Sequence, residues 1–421
     1  MKPYIEWTKE ELVAEKARLE QEFAEVKAKG LNLNISRGKP AAAQLDLTEG
    51  MLTVLSKNED TFAEDGTDCR NYGVLTGIPE ARKLIGDICE VPAENVIVYG
   101  NASLTIMFDT VARSFLKGVA GCTPWNKLDK VKFLCPVPGY DRHFGVTEYF
   151  GVEMINVPMT PEGPDMDMVE KLVAEDDAIK GIWCVPKYSN PQGYTYSDET
   201  VRRFANLKPA AKDFRIFWDN AYIIHHLYDD RQDHLLNIIE ECEKAGNPDM
   251  VYEFVSTSKV SYPGAGIAAL ISSEANLKEA QEYMNFQIIG HDKLNQLRHV
   301  KFFQNLDGVM NQMKKHAEIL RPKFEAILQV MDQELSAWHR FLDKTERWIL
   351  HLLRCDGGMC KEDRCKSKRG RPYHDRRGRN VSISQRSAGF QHPYCTVLPD
   401  TGRAGNRRSG IRAECQTGQH G

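Results

Sequence analysis

Between about residues 80 and 290, short apolar runs alternate with stretches of helical period, and this alternation restricts the folds open to the chain more than any other feature. The runs are Asn95-Val-Ile-Val-Tyr, Val131-Lys-Phe-Leu-Cys, Gly181-Ile-Trp-Cys-Val, Phe214-Arg-Ile-Phe-Trp, Val251-Tyr-Glu-Phe-Val and Ile267-Ala-Ala-Leu-Ile. Runs this short, apolar on consecutive positions, are strands buried on both faces. Strands separated by helices specify an α/β fold with a mostly parallel central sheet and helices on both faces. Ahead of this region, Thr8-Lys-Glu-Glu is a capping box, and Leu12, Ala17, Leu19, Phe23 and Val26 follow at helical spacing towards a stop at Gly30. Leu31 to Pro40 reads as an extended segment ending in a Gly/Pro loop. After the alternating region, residues 293–337 read as one long amphipathic helix through Leu297, Val300, Phe303, Ile319, Phe324, Ile327 and Val330.

The chain of 421 residues is 42% hydrophobic and 27% charged, which excludes wholesale disorder and a disulfide mini-scaffold. No apolar run approaches the roughly 20 residues of a membrane span, and the opening Met-Lys-Pro-Tyr-Ile-Glu-Trp lacks the layout of a signal peptide. Eleven cysteines without an export signal read as reduced thiols. A cytoplasmic protein is expected, with no membrane and no nucleic acid among its partners.

In an open α/β sheet, ligands lie beyond the carboxyl ends of the strands. The first run is followed by Gly100-Asn101-Ala102-Ser103, small residues at a helix start where backbone N–H groups and a hydroxyl can meet a phosphate. The second leads to Pro136-Val-Pro-Gly-Tyr140-Asp-Arg-His143, which holds out an aromatic ring. The third leads to Asn190-Pro-Gln-Gly, a fixed turn with an amide donor. The fourth ends in Asp219-Asn-Ala-Tyr222, where a carboxylate straight after an apolar strand needs a partner. The fifth leads to Ser256-Thr-Ser-Lys259. Each has a plainer reading when taken alone: a strand-to-helix turn, a packed tyrosine, an ordinary turn, a helix N-cap, a solvated lysine. The ordered set supplies what pyridoxal phosphate requires, namely a phosphate cradle, a stacking ring, an acid opposite the ring nitrogen and a lysine for the imine. No strong metal-ligand spacing is present.

With Asn71-Tyr72-Gly-Val-Leu-Thr-Gly77-Ile-Pro-Glu-Ala-Arg82 added, these strings in this order resemble the class I aminotransferases of the fold-type-I pyridoxal-phosphate enzymes, the bacterial aspartate aminotransferases in particular. The resemblance spans residues 1–337. It implies that Lys259 carries the cofactor and shuttles the substrate proton, and that Asp219 keeps the ring nitrogen protonated with His143 behind it. Asn190 and Tyr222 would bind the ring's phenolic oxygen and Tyr140 would stack on the ring. Asn101, Ala102, Ser103 and Ser256 would hold the phosphate, and Tyr72 would reach it from the other subunit of a homodimer. Gly38 would lie on the substrate side, with Asn190; Arg37 and Lys39 are candidates for a substrate's side-chain carboxylate. The implied reaction passes the amino group of L-aspartate to 2-oxoglutarate. Another transaminase, a β-lyase and an inactive cofactor-binding protein are the alternatives.

The implied organisation is an N-terminal helix and arm in 1–45, belonging to a smaller α+β domain, and a large cofactor domain in 46–292. The helix of 293–337 then leads back to the small domain. Two departures stand out. The arginine that most members place a few residues beyond the lysine, to pair with the phosphate, is absent from Pro263-Gly-Ala-Gly-Ile. The C-terminal Gly-Gly-Tyr-Phe strand and carboxylate-binding arginine are also missing. Net charge changes abruptly there. Residues 1–337 hold 37 Lys/Arg against 51 Asp/Glu, whereas 338–421 hold 18 against 8, with five of the cysteines. Residues 338–421 read as an out-of-frame remnant of the small domain. With free choice of synonymous codons, QRSAGFQHPYCT (385–396) becomes NDPQDSNIRIAP on a shift of one nucleotide. The same shift turns WHRFLDKTERWILHLL into GIASWTKPRGGYFIS, and PYHDRRGRNVSI into a string containing TGAGATYP.

Overall fold

The computed structural model describes residues 6–31, 39–335, 342–343, 351–354 and 394–397. Helices α1 (Lys9–Ala28), α2 (Ala42–Asp46) and α3 (Pro79–Cys89) precede strand β1 (Val96–Val98), which α4 (Ser103–Lys117) follows. Next come β2 (Lys132–Val137), α5 (Asp141–Tyr149), β3 (Glu153–Thr160), β4 (Gly163–Pro164), α6 (Met166–Glu175) and β5 (Ile179–Cys184). Helix α7 (Asp198–Ala205), β6 (Arg215–Asp219), α8 (Ile238–Lys244), β7 (Val251–Ser256), β8 (Ala268–Ile271) and α9 (Glu274–Gln287) complete the alternation. Two further helices, α10 (Lys293–Phe303) and α11 (Leu306–Leu335), are followed by β9 (Leu342–Asp343), β10 (His351–Arg354) and β11 (Tyr394–Val397).

All six expected strands form, and they belong to one eight-stranded sheet in the order β1-β8-β7-β6-β5-β2-β3-β4. From β7 through β6, β5 and β2 to β3 the pairs are parallel, while β8 runs antiparallel between β1 and β7. The two-sided burial is visible along β6. Phe217 packs on Phe133, Trp183, Tyr252 and Phe254 on one face, and its neighbour Trp218 meets Tyr196 and Phe204 on the other. Every residue of β5 and β6 is buried. Strand β3 escaped the sequence reading because Glu-Met-Ile-Asn-Val-Pro-Met-Thr is mixed in polarity, and its inner position Val157 alone is fully covered.

The string Asn71–Arg82 runs from a loop into the first turn of α3, with Pro79 at the first helical position. Gly77 sits at φ +94, and a Cβ there would meet Val98 Cβ at 2.8 Å and Gln296 Oε1 at 3.0 Å, so only glycine fits. The same Gln296 oxygen accepts from Ile78 N at 2.9 Å. The expected single helix over 293–337 is instead two: α10 ends at Gln304 (φ 66), and Asn305 restarts the chain, its side chain accepting from Gly308 N.

The described residues divide into two compact units, 40–320 and the remainder. In the smaller one, Thr8 caps α1 as expected. Glu11 N donates to Thr8 Oγ1 at 3.2 Å, Thr8 N donates to Glu11 Oε2 at 2.6 Å, and Gly30 takes φ 61 beyond the helix end. Where the sequence shows no strand period, β9, β10 and β11 form a small antiparallel sheet. The rest of 338–421, and with it the out-of-frame reading, lies outside the described residues, as do Gly38 and Arg37. Among the described residues no helix is long and apolar enough to cross a membrane.

Candidate active site

The loops after β1, β2, β5, β6 and β7 carry the residues singled out from the sequence, all within residues 40–320. Asp219 ends β6 almost fully buried. Its Oδ2 lies 2.9 Å from His143 Nε2, while Oδ1 has no hydrogen-bond partner. The histidine is held in turn. Its ring stacks on Trp183 with centroids 4.6 Å apart, and the indole Nε1 donates at 2.8 Å to Thr147 Oγ1, one turn along α5. Tyr140, at the start of α5, meets the His143 ring edge-on. Its hydroxyl is pushed up by burial, against the pull of Lys259.

Behind Asp219, Asn220 Nδ2 donates to Glu253 Oε1 at 2.8 Å. Burial pushes the Glu253 carboxyl up to about 7, partly offset by that hydrogen bond. Tyr222 is buried, and Lys259 Nζ stands 4.4 Å from the centre of its ring. Burial works against the Lys259 ammonium, but Tyr222, Asp219 and Tyr140 outweigh it and hold its pKa above the ordinary lysine value. Asn190 is half-buried, in a turn anchored by Ser189, whose Oγ accepts from Tyr194 N.

The other end of the site is built differently. Helix α4 begins at Ser103 with Ala102 as its N-cap, and no side chain caps it. Its first N–H groups are therefore open to an anion, with the helix dipole in the favourable sense. Ser258, which the sequence reading passed over, ties the cradle together: Ser256 Oγ donates to Ser258 Oγ at 3.1 Å, and Ser258 Oγ donates to Asn101 O at 3.3 Å. A serine between Ser256 and Lys259 was the available signal. The stretch lacking the family arginine has no room for a longer side chain at Gly266, where a Cβ would stand 2.9 Å from Thr257 Oγ1 and 3.3 Å from Ser258 N.

Asn101, Ala102, Ser103, Tyr140, His143, Asn190, Asp219, Tyr222, Ser256 and Lys259 thus share one edge of one sheet. Tyr72 is not drawn in. Its ring is 82% exposed, on a loop held by Lys293 Nζ donating to Gly73 O at 2.9 Å. Lys39 is exposed in the other unit.

A mostly parallel sheet with a lysine, an acid and a helix N-terminus converging at its edge defines the fold-type-I aminotransferase class. Residues 7–346 match the family model described as aspartate amino-transferase, and the chain belongs to that family. It is 44% identical over 330 residues to a putative aminotransferase of Mycolicibacterium smegmatis, covering 78% of this chain and 77% of the relative. To an aspartate aminotransferase of Corynebacterium glutamicum it is 43% identical over 321 residues, 76% and 74% of the two chains. A crystal structure of an aspartate transaminase from Corynebacterium glutamicum superposes with a TM-score of 0.79 at 40% identity, covering 83% of this chain and 82% of that one. The chain is an aminotransferase by family, and that family depends on pyridoxal phosphate.

Proposed function

We propose that the chain moves the amino group of L-aspartate to 2-oxoglutarate by a ping-pong mechanism with pyridoxal 5'-phosphate, giving oxaloacetate and L-glutamate. The observation that carries the cofactor is Asp219 Oδ1, a buried carboxylate oxygen without a partner. Such an atom is costly unless a ligand donor meets it, and a protonated ring nitrogen is that donor. The 43% identity to a protein named aspartate aminotransferase supports the substrate.

When bound, the cofactor supplies an electron sink for the substrate's Cα carbanion. Asp219 holds the ring nitrogen in its charged form, since an opposite charge favours protonation, and His143 fixes the carboxylate's direction. Lys259 Nζ would hold the cofactor and, as a free amine, would carry the proton between the substrate Cα and the cofactor. Tyr222 and Asn190 donate to the ring oxygen, Tyr140 covers the ring, and Asn101, Ala102, Ser103 and Ser256 bind the phosphate. Residues 46–292 form the cofactor domain, with 1–45 and 293–337 serving a smaller one. The acting unit is a homodimer in which the exposed Tyr72 serves the partner's phosphate, and Gly38, Arg37 and Lys39 are assigned to substrate recognition.

The purified chain mixed with pyridoxal 5'-phosphate should develop an imine absorbance band that L-aspartate converts to the amine form and 2-oxoglutarate restores. Lys259→Ala should show no band. A folded wild-type chain without the band overturns the Lys259 assignment. Conversion by other amino acids but not by aspartate overturns the substrate.

The family match leaves 347–421 unmatched, which supports the out-of-frame reading for that part of the tail. On that reading the chain binds the cofactor but lacks the carboxylate-binding arginine, so turnover is weak. Moving the frame by one nucleotide near the Ala337 codon should raise turnover at least ~100-fold, the scale of a lost charge-assisted contact. Full turnover by the present chain, with no gain on reframing, overturns it.

A further inference from the structure

Two buried histidines from the segment expected to be one long helix reach the back of the Lys259 turn. The turn runs from Thr257 to Ser261, closed by Ser261 N donating to Thr257 O at 2.8 Å, with Val260 N donating to the same carbonyl at 2.9 Å. His299, on α10, is fully buried. Its Nδ1 is 2.7 Å from Asn295 O, a carbonyl that can only accept, so Nδ1 carries the proton and Nε2 is an acceptor. Ser261 Oγ lies 2.8 Å from that Nε2 and Thr257 Oγ1 3.2 Å from it. Thr257 is committed on its other side, accepting from Ile267 N at 2.9 Å.

His316, on α11, has the opposite tautomer. Gln44 Oε1 accepts from Ala41 N at 3.0 Å, which turns the Gln44 amide nitrogen towards His316 Nδ1 at 3.3 Å. Nδ1 is then the acceptor, and Nε2 carries the proton that it donates to Val260 O at 3.0 Å. Gln312 Nε2 stands at 3.4 Å from the same nitrogen. Burial keeps both rings neutral, pushing His299 down to about 4 and lowering His316. A neutral ring offers one donor and one acceptor: in His299 they meet the Asn295 carbonyl and the hydroxyls of the turn, in His316 the Val260 carbonyl and the Gln44 amide.

We infer that His299 and His316 are positioning residues that together set the turn bearing Lys259, and so hold Nζ over the Tyr222 ring. His299 binds the two hydroxyl ends of the turn, and His316 binds the carbonyl that follows the lysine. With the turn loosened, Nζ leaves the neighbourhood of Tyr222 and Asp219, the groups that hold its proton. This inference rests on the reading of Lys259 as the cofactor lysine.

The test is made on the full chain with pyridoxal 5'-phosphate as probe, reading both its dissociation constant and the pH midpoint of its reaction with Lys259. His299→Leu and His316→Leu should each weaken binding roughly 10-fold, the scale of a buried group left unsatisfied, and lower the midpoint towards that of ordinary lysine. His299→Gln returns an acceptor and His316→Gln returns a donor, so both should recover most of the binding and the wild-type midpoint. Ser261→Ala removes one partner of His299 with little change in packing, and should move the midpoint the same way even if the leucine variants fail to fold. Folded variants with an unchanged midpoint overturn the inference. A wild-type chain that forms no imine overturns the Lys259 reading instead.

Discussion

The two ends of the candidate site solve opposite problems. At the end proposed for the ring nitrogen, Asp219 is buried without a ligand, and the fold surrounds it with His143, Trp183 and Thr147 in a packed series. At the end proposed for the phosphate the polar groups are hydroxyls and backbone N–H groups, and Asn101 is exposed. A buried carboxylate needs hydrogen-bond donors; His143 meets one oxygen and the other is left for a ligand donor, so the first end is specific. Hydroxyls and an open helix start are satisfied by water until an anion replaces it, so the second end needs no permanent cation. The space closed by Gly266 fits that economy, since the cradle is drawn around small residues.

The largest effect belongs to the residue between the two ends. Lys259→Ala should cost transamination at least ~10⁴-fold, through loss of the proton shuttle and the covalent link together, as initial rates with aspartate would show. Asp219→Asn should cost ~10³-fold, the scale of one removed electrostatic stabiliser, with cofactor affinity far less changed. Equal losses of rate and affinity would break the contrast drawn between the ends.

Glu253→Gln sharpens the same contrast through stability. The Glu253 carboxyl titrates from 4.5 unfolded to about 7 folded, so between those values the folded chain binds the extra proton. Stability therefore falls as pH rises through that window, by about 3 kcal/mol in all, and is fully present below it. Denaturant melts should show the glutamine variant the more stable near pH 8 and the difference vanishing near pH 4. At the phosphate end, Ser103→Ala or Ser256→Ala should weaken cofactor binding only ~5-fold, the value of one shared hydrogen bond, with the rate at saturating cofactor unchanged.

Much of the ring end was legible because apolar strands announce where they stop: Asp219 and Tyr140 were placed by their strands. The support beneath was not legible. Trp183 on β5 and Thr147 on α5 meet only once the sheet has formed, and nothing in either local sequence marks the contact. Ser258 was hidden differently, as one serine beside another. The break at Gln304 was missed because apolar spacing continues across it, whereas a positive φ leaves no mark on the hydrophobic pattern. Strand β3 was missed because a strand next to the sheet's edge strand need not be uniformly apolar.

The position of β8 has a consequence for synthesis. The phosphate cradle joins Asn101 to Ser258, and its frame is complete only when β8 slots between β1 and β7. A nascent chain emerges from its N-terminus onwards, and long-range pairing of this kind closes late. Until Ile271 has left the ribosome, β1 has no partner in the sheet and the helix start beyond it has no opposing wall. Assembly of the cradle proposed for the phosphate therefore waits on Ile271, well before the end of the chain, and a ribosome stalled anywhere before that point carries a chain that cannot yet form it.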